Sequence, residues 1–147
     1  MKSLLIAFTM LFILTAKSSY ANEEKIAEII LQSFKSSFND AKNVTWSQVE
    51  GLYKAVFVLD GQTLSVWYNP EGNLIALSRK LNPTQLPISL QTSLKKRSEG
   101  YKLTDLFEID NDAGTLYYAE LENTNKRIML ESTSRGEWGV YKKSRIK

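Results

Sequence analysis

The sequence predicts an α+β fold of two tandem repeats. Each repeat is one helix followed by a four-stranded antiparallel meander, and both helices lie on one face of the sheet. Three observations predict this. An apolar segment with helical period begins at Ile26 and another at Leu86, so that Ile26, Ile30 and Phe34 align with Leu86, Leu90 and Leu94 at an offset of 60 residues. Lys42 aligns with Lys102 and Val49 with Ile109 at that offset. The offset then steps to 64, where Tyr53, Ala55 and Phe57 meet Tyr117, Ala119 and Leu121, and Leu64 and Val66 meet Ile128 and Leu130. The four extra residues fall between Asn111 and Gly114, a turn in which an insertion disturbs no packing. After each helical segment the apolar period changes from about 3.6 to 2, the change from helix to strand.

The first 21 residues read as a signal peptide: Lys2, an apolar run from Leu4 to Leu14 broken by one Thr, and Ser19-Tyr20-Ala21 as a small-residue cleavage site. The run of 11 is too short for a bilayer, which needs roughly 20 residues. Cleavage leaves residues 22–147 as a single domain, with repeats at about 22–81 and 82–147. Lys2 and Lys17 depart with the leader, so 17 basic side chains face 16 acidic ones and the net charge is +1. Export without any cysteine suits a bacterial periplasm, or secretion, without disulfides.

The first helix is expected over 23–38, with Ile26, Ile29, Ile30, Phe34 and Phe38 on one stripe. The second is expected from Pro87 to Ser98, with Pro87 tolerated in the first turn and Gly100 closing the end. Strands are expected at about 44–49, 52–59, 63–68 and 74–80, then 103–110, 115–122, 126–132 and 138–145. Asp60-Gly61 and Asn69-Pro70-Glu71-Gly72 are turn sequences that make neighbouring strands antiparallel.

Alternation assigns the faces. Tyr53, Ala55, Phe57, Leu59, Leu64, Val66 and Tyr68 should face the helix, as should Tyr117, Ala119, Leu121, Ile128 and Leu130. Lys54, Val56, Val58, Ser65 and Trp67 then share the opposite face with Tyr118, Glu120, Glu122, Arg127, Met129 and Glu131.

The chain has no histidine and no cysteine, which removes Ser-His and Cys-His nucleophiles, thiol redox chemistry and ordinary zinc or haem ligation. Asp110-Asn111-Asp112-Ala113-Gly114 begins like a calcium loop, but its glycine is misplaced and Leu121 stands where a closing Glu is needed. It reads as a polar hairpin turn. No catalytic residue, metal or cofactor is expected. The basic clusters Lys95-Lys96-Arg97 and Lys142 to Lys147 read as solvated charge rather than a nucleic-acid patch.

Phe38-Asn39-Asp40-Ala41-Lys42-Asn43-Val44-Thr45-Trp46, Tyr53-Lys54-Ala55-Val56-Phe57, Asp60-Gly61, Val66-Trp67-Tyr68-Asn69, Gly72-Asn73-Leu74, Leu86-Pro87 and Gly100-Tyr101-Lys102 carry a resemblance. Over residues 26–145 the chain resembles the PepSY-like, β-lactamase-inhibitor-like periplasmic proteins of Bacteroidetes. The resemblance implies two helix-plus-four-strand repeats side by side and a curved sheet exposed on one face, the face with which β-lactamase inhibitor proteins grip their enzyme. It brings no catalytic residues. The second repeat departs from the first where Leu106 stands for Trp46 and Glu131-Ser132 for Trp67-Tyr68.

The expected function is that of an exported, non-enzymatic binding protein. Its partner is a periplasmic protein or peptide held on the open sheet face, with no nucleic acid and no membrane span once the leader is gone. The expected contacts are Trp46, Val56, Trp67, Tyr118 and Met129, ringed by Lys54, Glu120, Arg127 and Glu131. Alternatives on the same face are a small molecule or cell-wall carbohydrate, or a second copy of the chain.

Overall fold

The structure, a computed structural model, describes residues 26–146. The expected leader and its cleavage site lie outside them. Helix α1 spans Glu28–Ser37 and is followed by β1 (Lys42–Val49), β2 (Leu52–Leu59), β3 (Gln62–Tyr68) and β4 (Leu74–Lys80). A 3-10 turn at Pro83–Gln85 leads into α2 (Ile88–Arg97). Then come β5 (Lys102–Asn111), β6 (Gly114–Glu122), β7 (Lys126–Thr133) and β8 (Gly139–Arg145). No helix among the described residues is long and apolar enough to cross a membrane.

The expectation of two tandem units, each a helix on its own four-stranded meander, is corrected. All eight strands form one antiparallel sheet in the order β1 to β8. The joint is the pairing of β4 with β5, from Ala76 opposite Asn111 to Lys80 opposite Phe107. The ladder extends into the connection, where the Leu81 N–H donates to the Leu106 carbonyl at 2.8 Å. The physical reason is backbone satisfaction. Two separate meanders would leave β4 and β5 as edges with unpaired N–H and C=O groups, and pairing them removes both edges.

Turn chemistry sets the hairpins. Asp60 and Gly61 both have positive φ, 50° and 77°, as a two-residue hairpin turn requires. Gly72, at φ +82°, packs beneath α1, where a Cβ would lie 3.1 Å from Ile29 Cγ1 and 3.3 Å from the Ile29 carbonyl oxygen. The turn between β3 and β4 therefore needs glycine both for its backbone and for the approach of the helix.

The two helices build two cores on one face of the sheet. Under α1, Ile30 and Phe34 pack on Trp46, Ala55, Phe57, Leu64, Val66 and Tyr68. Ile29, expected on the buried stripe, is 52% exposed instead. Under α2, Leu90 and Leu94 pack on Leu106, Ala119, Leu121, Leu130 and Trp138. Trp138 lies just before β8, is 1% exposed, and its indole N–H donates to the Leu90 carbonyl at 3.1 Å. The capping box of Asn82 and Gln85 and the Gln91 amide on the Leu86 carbonyl, 2.8 Å away, satisfy the approach to α2.

Candidate interaction surface on the helix-free sheet face

Residues directly opposite one another in an antiparallel pair share a face. On the face away from the helices, Lys54, Trp67 and Ala76 lie in one cross-strand row. Ser78, Ile109 and Leu116 lie in the next, and Phe107, Tyr118 and Glu131 in a third. These rows bring Trp67, Ala76, Phe107, Ile109, Tyr118 and Met129 into a third apolar cluster, with Leu52, Ile75, Leu116 and Tyr141 around it. No helix residue contributes to it among the described residues.

The aromatic geometry is specific. The Phe107 and Tyr118 rings stack with centroids 5.4 Å apart, and Tyr141 meets Tyr118 edge-on at 5.6 Å. Lys54 holds its ammonium 5.0 Å from the centroid of the Trp67 ring, a cation–π contact. Desolvation of the ammonium there lowers the Lys54 pKa. The Tyr118 hydroxyl donates to the Glu131 carboxylate. Burial first, then that bond, pushes the Tyr118 pKa up.

Charge encloses the cluster on the β5 to β7 side. The buried Glu120 carboxylate accepts a hydrogen bond from the Thr104 hydroxyl at 2.8 Å and faces Arg127 Nε at 3.5 Å. Arg127 also donates to Glu122 at 2.7 Å, and Lys80 meets Asp105 at 3.0 Å. The buried carboxylate is thus compensated rather than left alone.

The structure brings most of the sequence-nominated residues to this face. Trp67, Tyr118, Met129 and Glu120 are buried on it, Lys54, Val56 and Glu131 are half-buried, and Arg127 is exposed. Trp46 is corrected: it packs beneath α1 at 3% exposure, its ring 5.3 Å from Phe34. The reason is its phase on β1, since Trp46 lies opposite Ala55, which faces the helix. Phe107, Ile109 and Tyr141 were missed. Phe107 and Ile109 alternate with Leu106 and Glu108 on β5, which the period of 2 could have revealed. Tyr141 lies at a register shift between β7 and β8, which no local pattern signals.

On the helix side, between the two cores, Leu77, Arg79, Glu108, Asp110, Thr115 and Tyr117 line a shallow cavity of about 360 Å³. Arg79 is paired with Glu108 there, and Asp110 accepts a hydrogen bond from the Thr115 hydroxyl at 2.9 Å. Deeper in the α1 core, the buried Tyr68 hydroxyl has no hydrogen-bond partner among the described residues. Burial pushes the Tyr68 pKa up to about 12. The unfolded value is near 10, so the cost of burying an ionised phenolate is absent below about pH 10, and stability falls as pH rises from there through about 12. Tyr68→Phe removes an unpaired buried hydroxyl and should stabilise by about 1 kcal/mol. It should also flatten the fall in stability above pH 10. Urea unfolding at pH 8 and pH 11 measures both, and a loss of stability at pH 8 would mean that the hydroxyl is bonded.

No family model matches the chain, and no curated protein does. Solved structures share the fold. A protein predicted to be periplasmic from Bacteroides eggerthii superposes with a TM-score of 0.73 at 15% identity, covering 82% of this chain and 88% of that one. A DUF2874 family protein from Bacteroides uniformis gives 0.72 at 15% identity, covering 81% and 88%. A BLIP-like protein from Bacteroides fragilis gives 0.69 at 20% identity, covering 87% and 89%. The chain therefore has the fold of BLIP-like proteins, which supports that half of the sequence resemblance and leaves the PepSY half without a match.

Proposed function

We propose that this chain is an exported, non-enzymatic binding protein that holds a periplasmic protein or peptide on the helix-free sheet face. The observation that carries the proposal is segregation. Both helices pack on one face, while the other gathers an aromatic and aliphatic cluster bordered by Lys54, Arg127, Glu131 and the Lys80–Asp105 pair. The central aromatics are buried, so the surface offered to a partner is the half-buried and exposed border of Lys54, Val56, Arg127, Glu131 and Tyr141 above a packed apolar floor. The leader-like first 21 residues and the periplasmic description of a fold neighbour support export. Among the described residues the carboxylates of this face at Glu120, Glu122 and Glu131 are engaged by Thr104, Arg127 and Tyr118, which favours a structural and recognition role over acid–base work.

Photo-crosslinking in the cell tests the proposal. A photoreactive phenylalanine analogue at Val56 or at Arg127 should give protein adducts in the periplasm, and the same group at Thr92, on the outer side of α2, should give none. Adducts of twice the chain mass would identify a second copy as the occupant. No adduct from the sheet face, or equal adducts from Thr92, would overturn the proposal.

A further inference from the structure

We propose that the end of the molecule formed by the last turn of α2 and the adjoining ends of β7 and β8 docks on an anionic phospholipid surface. The fold unites basic residues that are far apart in sequence. Tyr101, Lys126, Ile128, Lys143, Ser144 and Arg145 line a cavity of about 320 Å³, with no carboxylate among them. Just before Tyr101, the last turn of α2 carries Lys95, Lys96 and Arg97. Glu99 is the one acidic residue between positions 95 and 102.

Pairing separates these cations from those elsewhere in the sheet. Arg79, Lys80 and Arg127 are each matched to a carboxylate. Among the described residues, Lys95, Lys96, Arg97, Lys126, Lys143 and Arg145 have no ion pair. Glu122 lies across from Lys102 on the opposite face of these strands and is held there by Arg127.

Two simpler accounts each explain a part. Cations favour the negative end of a helix, which covers Lys95 to Arg97. Lysines on an edge strand block unwanted pairing, which covers Lys143 and Arg145. Neither covers Lys126 on β7, nor the convergence of both groups. The fold does not demand it either, for the corresponding turn of α1 reads Lys35-Ser36-Ser37 and Gln62 stands where β7 has Lys126.

A lipid surface fits better than a small anion or a nucleic acid. Lys126, Lys143 and Arg145 are exposed rather than buried around a fixed point, as suits a field over a surface. Tyr101 and Ile128 give the cavity an apolar wall, and Ile146, 38% exposed, follows Arg145 in the chain. Basic, aromatic and aliphatic groups side by side are the makeup of an interfacial contact. Tyr101 is the single aromatic ring of the cavity, too few for a run of stacked bases.

Sedimentation with lipid vesicles tests the inference, using signal-free protein purified from the periplasm. Vesicles of phosphatidylcholine with about one third phosphatidylglycerol should bind at low salt, and pure phosphatidylcholine should not. Each basic residue near such a surface is worth roughly fivefold in affinity, so Lys126→Glu with Lys143→Glu should weaken binding by at least about 25-fold. Near 0.5 M salt the binding should vanish. Lys35→Glu with Lys42→Glu, at the corresponding end of the first half, should leave binding within about twofold. Equal loss in that variant would reduce the effect to net charge and overturn the proposal. Displacement by millimolar inorganic phosphate would show a free-anion site, and tighter binding of a single-stranded oligonucleotide would show a nucleic-acid one; either overturns it. Circular dichroism confirms the fold of each variant. Should the double variant unfold, Arg145→Gln and the salt titration of the unaltered protein decide, and binding unmoved by both overturns the proposal.

Discussion

Trp138→Ala is expected to lower the unfolding free energy by about 4–5 kcal/mol, at the top of the range for truncating a buried aromatic. Trp138 is the largest of the fully buried side chains, at 1% exposure. It closes the α2 core against Leu90, Leu94, Leu121 and Leu130. Its removal leaves a cavity beneath the helix and takes away the indole donor 3.1 Å from the Leu90 carbonyl. That carbonyl also belongs to the helix ladder, so the cavity term dominates and the bond adds about 1 kcal/mol. Trp138→Phe separates the two, because it keeps most of the volume and loses the N–H; it should cost about 1–2 kcal/mol. Urea unfolding followed by circular dichroism measures both. Against a total stability of roughly 5–15 kcal/mol for a domain of this kind, the alanine variant should have its midpoint shifted far down. A cost below about 1 kcal/mol would mean that α2 is held without Trp138.

What the sequence made legible was local, and what it hid was not. The helix-facing residues Ala55, Phe57, Val66, Ala119 and Leu121 are buried where period-2 alternation puts them. Asp60-Gly61 makes the turn its conformational freedom allows. The union of the strands into one sheet had no such signal. The 21 residues between Lys80, the end of β4, and Lys102, the start of β5, are too many for any hairpin rule, and only the free edges of β4 and β5 argue for the pairing of these strands. Trp46 was misplaced for another reason. Val44 and Trp46 alternate with Thr45 and Ser47, so the phase of β1 places Trp46 with the helix-facing residues, and its size alone does not make it a contact residue. With Trp46 in the core, the departure at Leu106 changes meaning. Leu106 is 2% exposed beneath α2, so that exchange concerns core volume rather than recognition. Glu131, in the position that corresponds to Trp67, does alter the helix-free face, because it receives the Tyr118 hydroxyl. Any partner of that face therefore meets unlike halves.

Phe57→Ala should destabilise by about 4–5 kcal/mol and Leu121→Ala by about 3 kcal/mol, both within the range for large-to-small core changes. The two positions correspond at the offset of 64, and each is 1% exposed on the helix-facing side. Their surroundings differ, and the difference sets the order. Phe57 meets Phe34 edge-on at 5.0 Å and Phe38 at 4.9 Å, so truncation removes two ring contacts worth about 0.5–1.5 kcal/mol each beyond area. Leu121 packs among aliphatic residues and Trp138, where a smaller side chain loses contact area alone. Both substitutions should unfold the protein in a single transition, because β4 and β5 join the two cores in one sheet. Fluorescence of the three tryptophans and far-ultraviolet circular dichroism, followed through the same urea titration, check this. Trp46 reports on the α1 core and Trp138 on the α2 core, so non-coincident curves in Phe57→Ala would show the halves melting separately and would contradict the continuous sheet as the cooperative unit. Coincident curves with the order reversed would leave the sheet intact but place the weight of the stability in the α2 core.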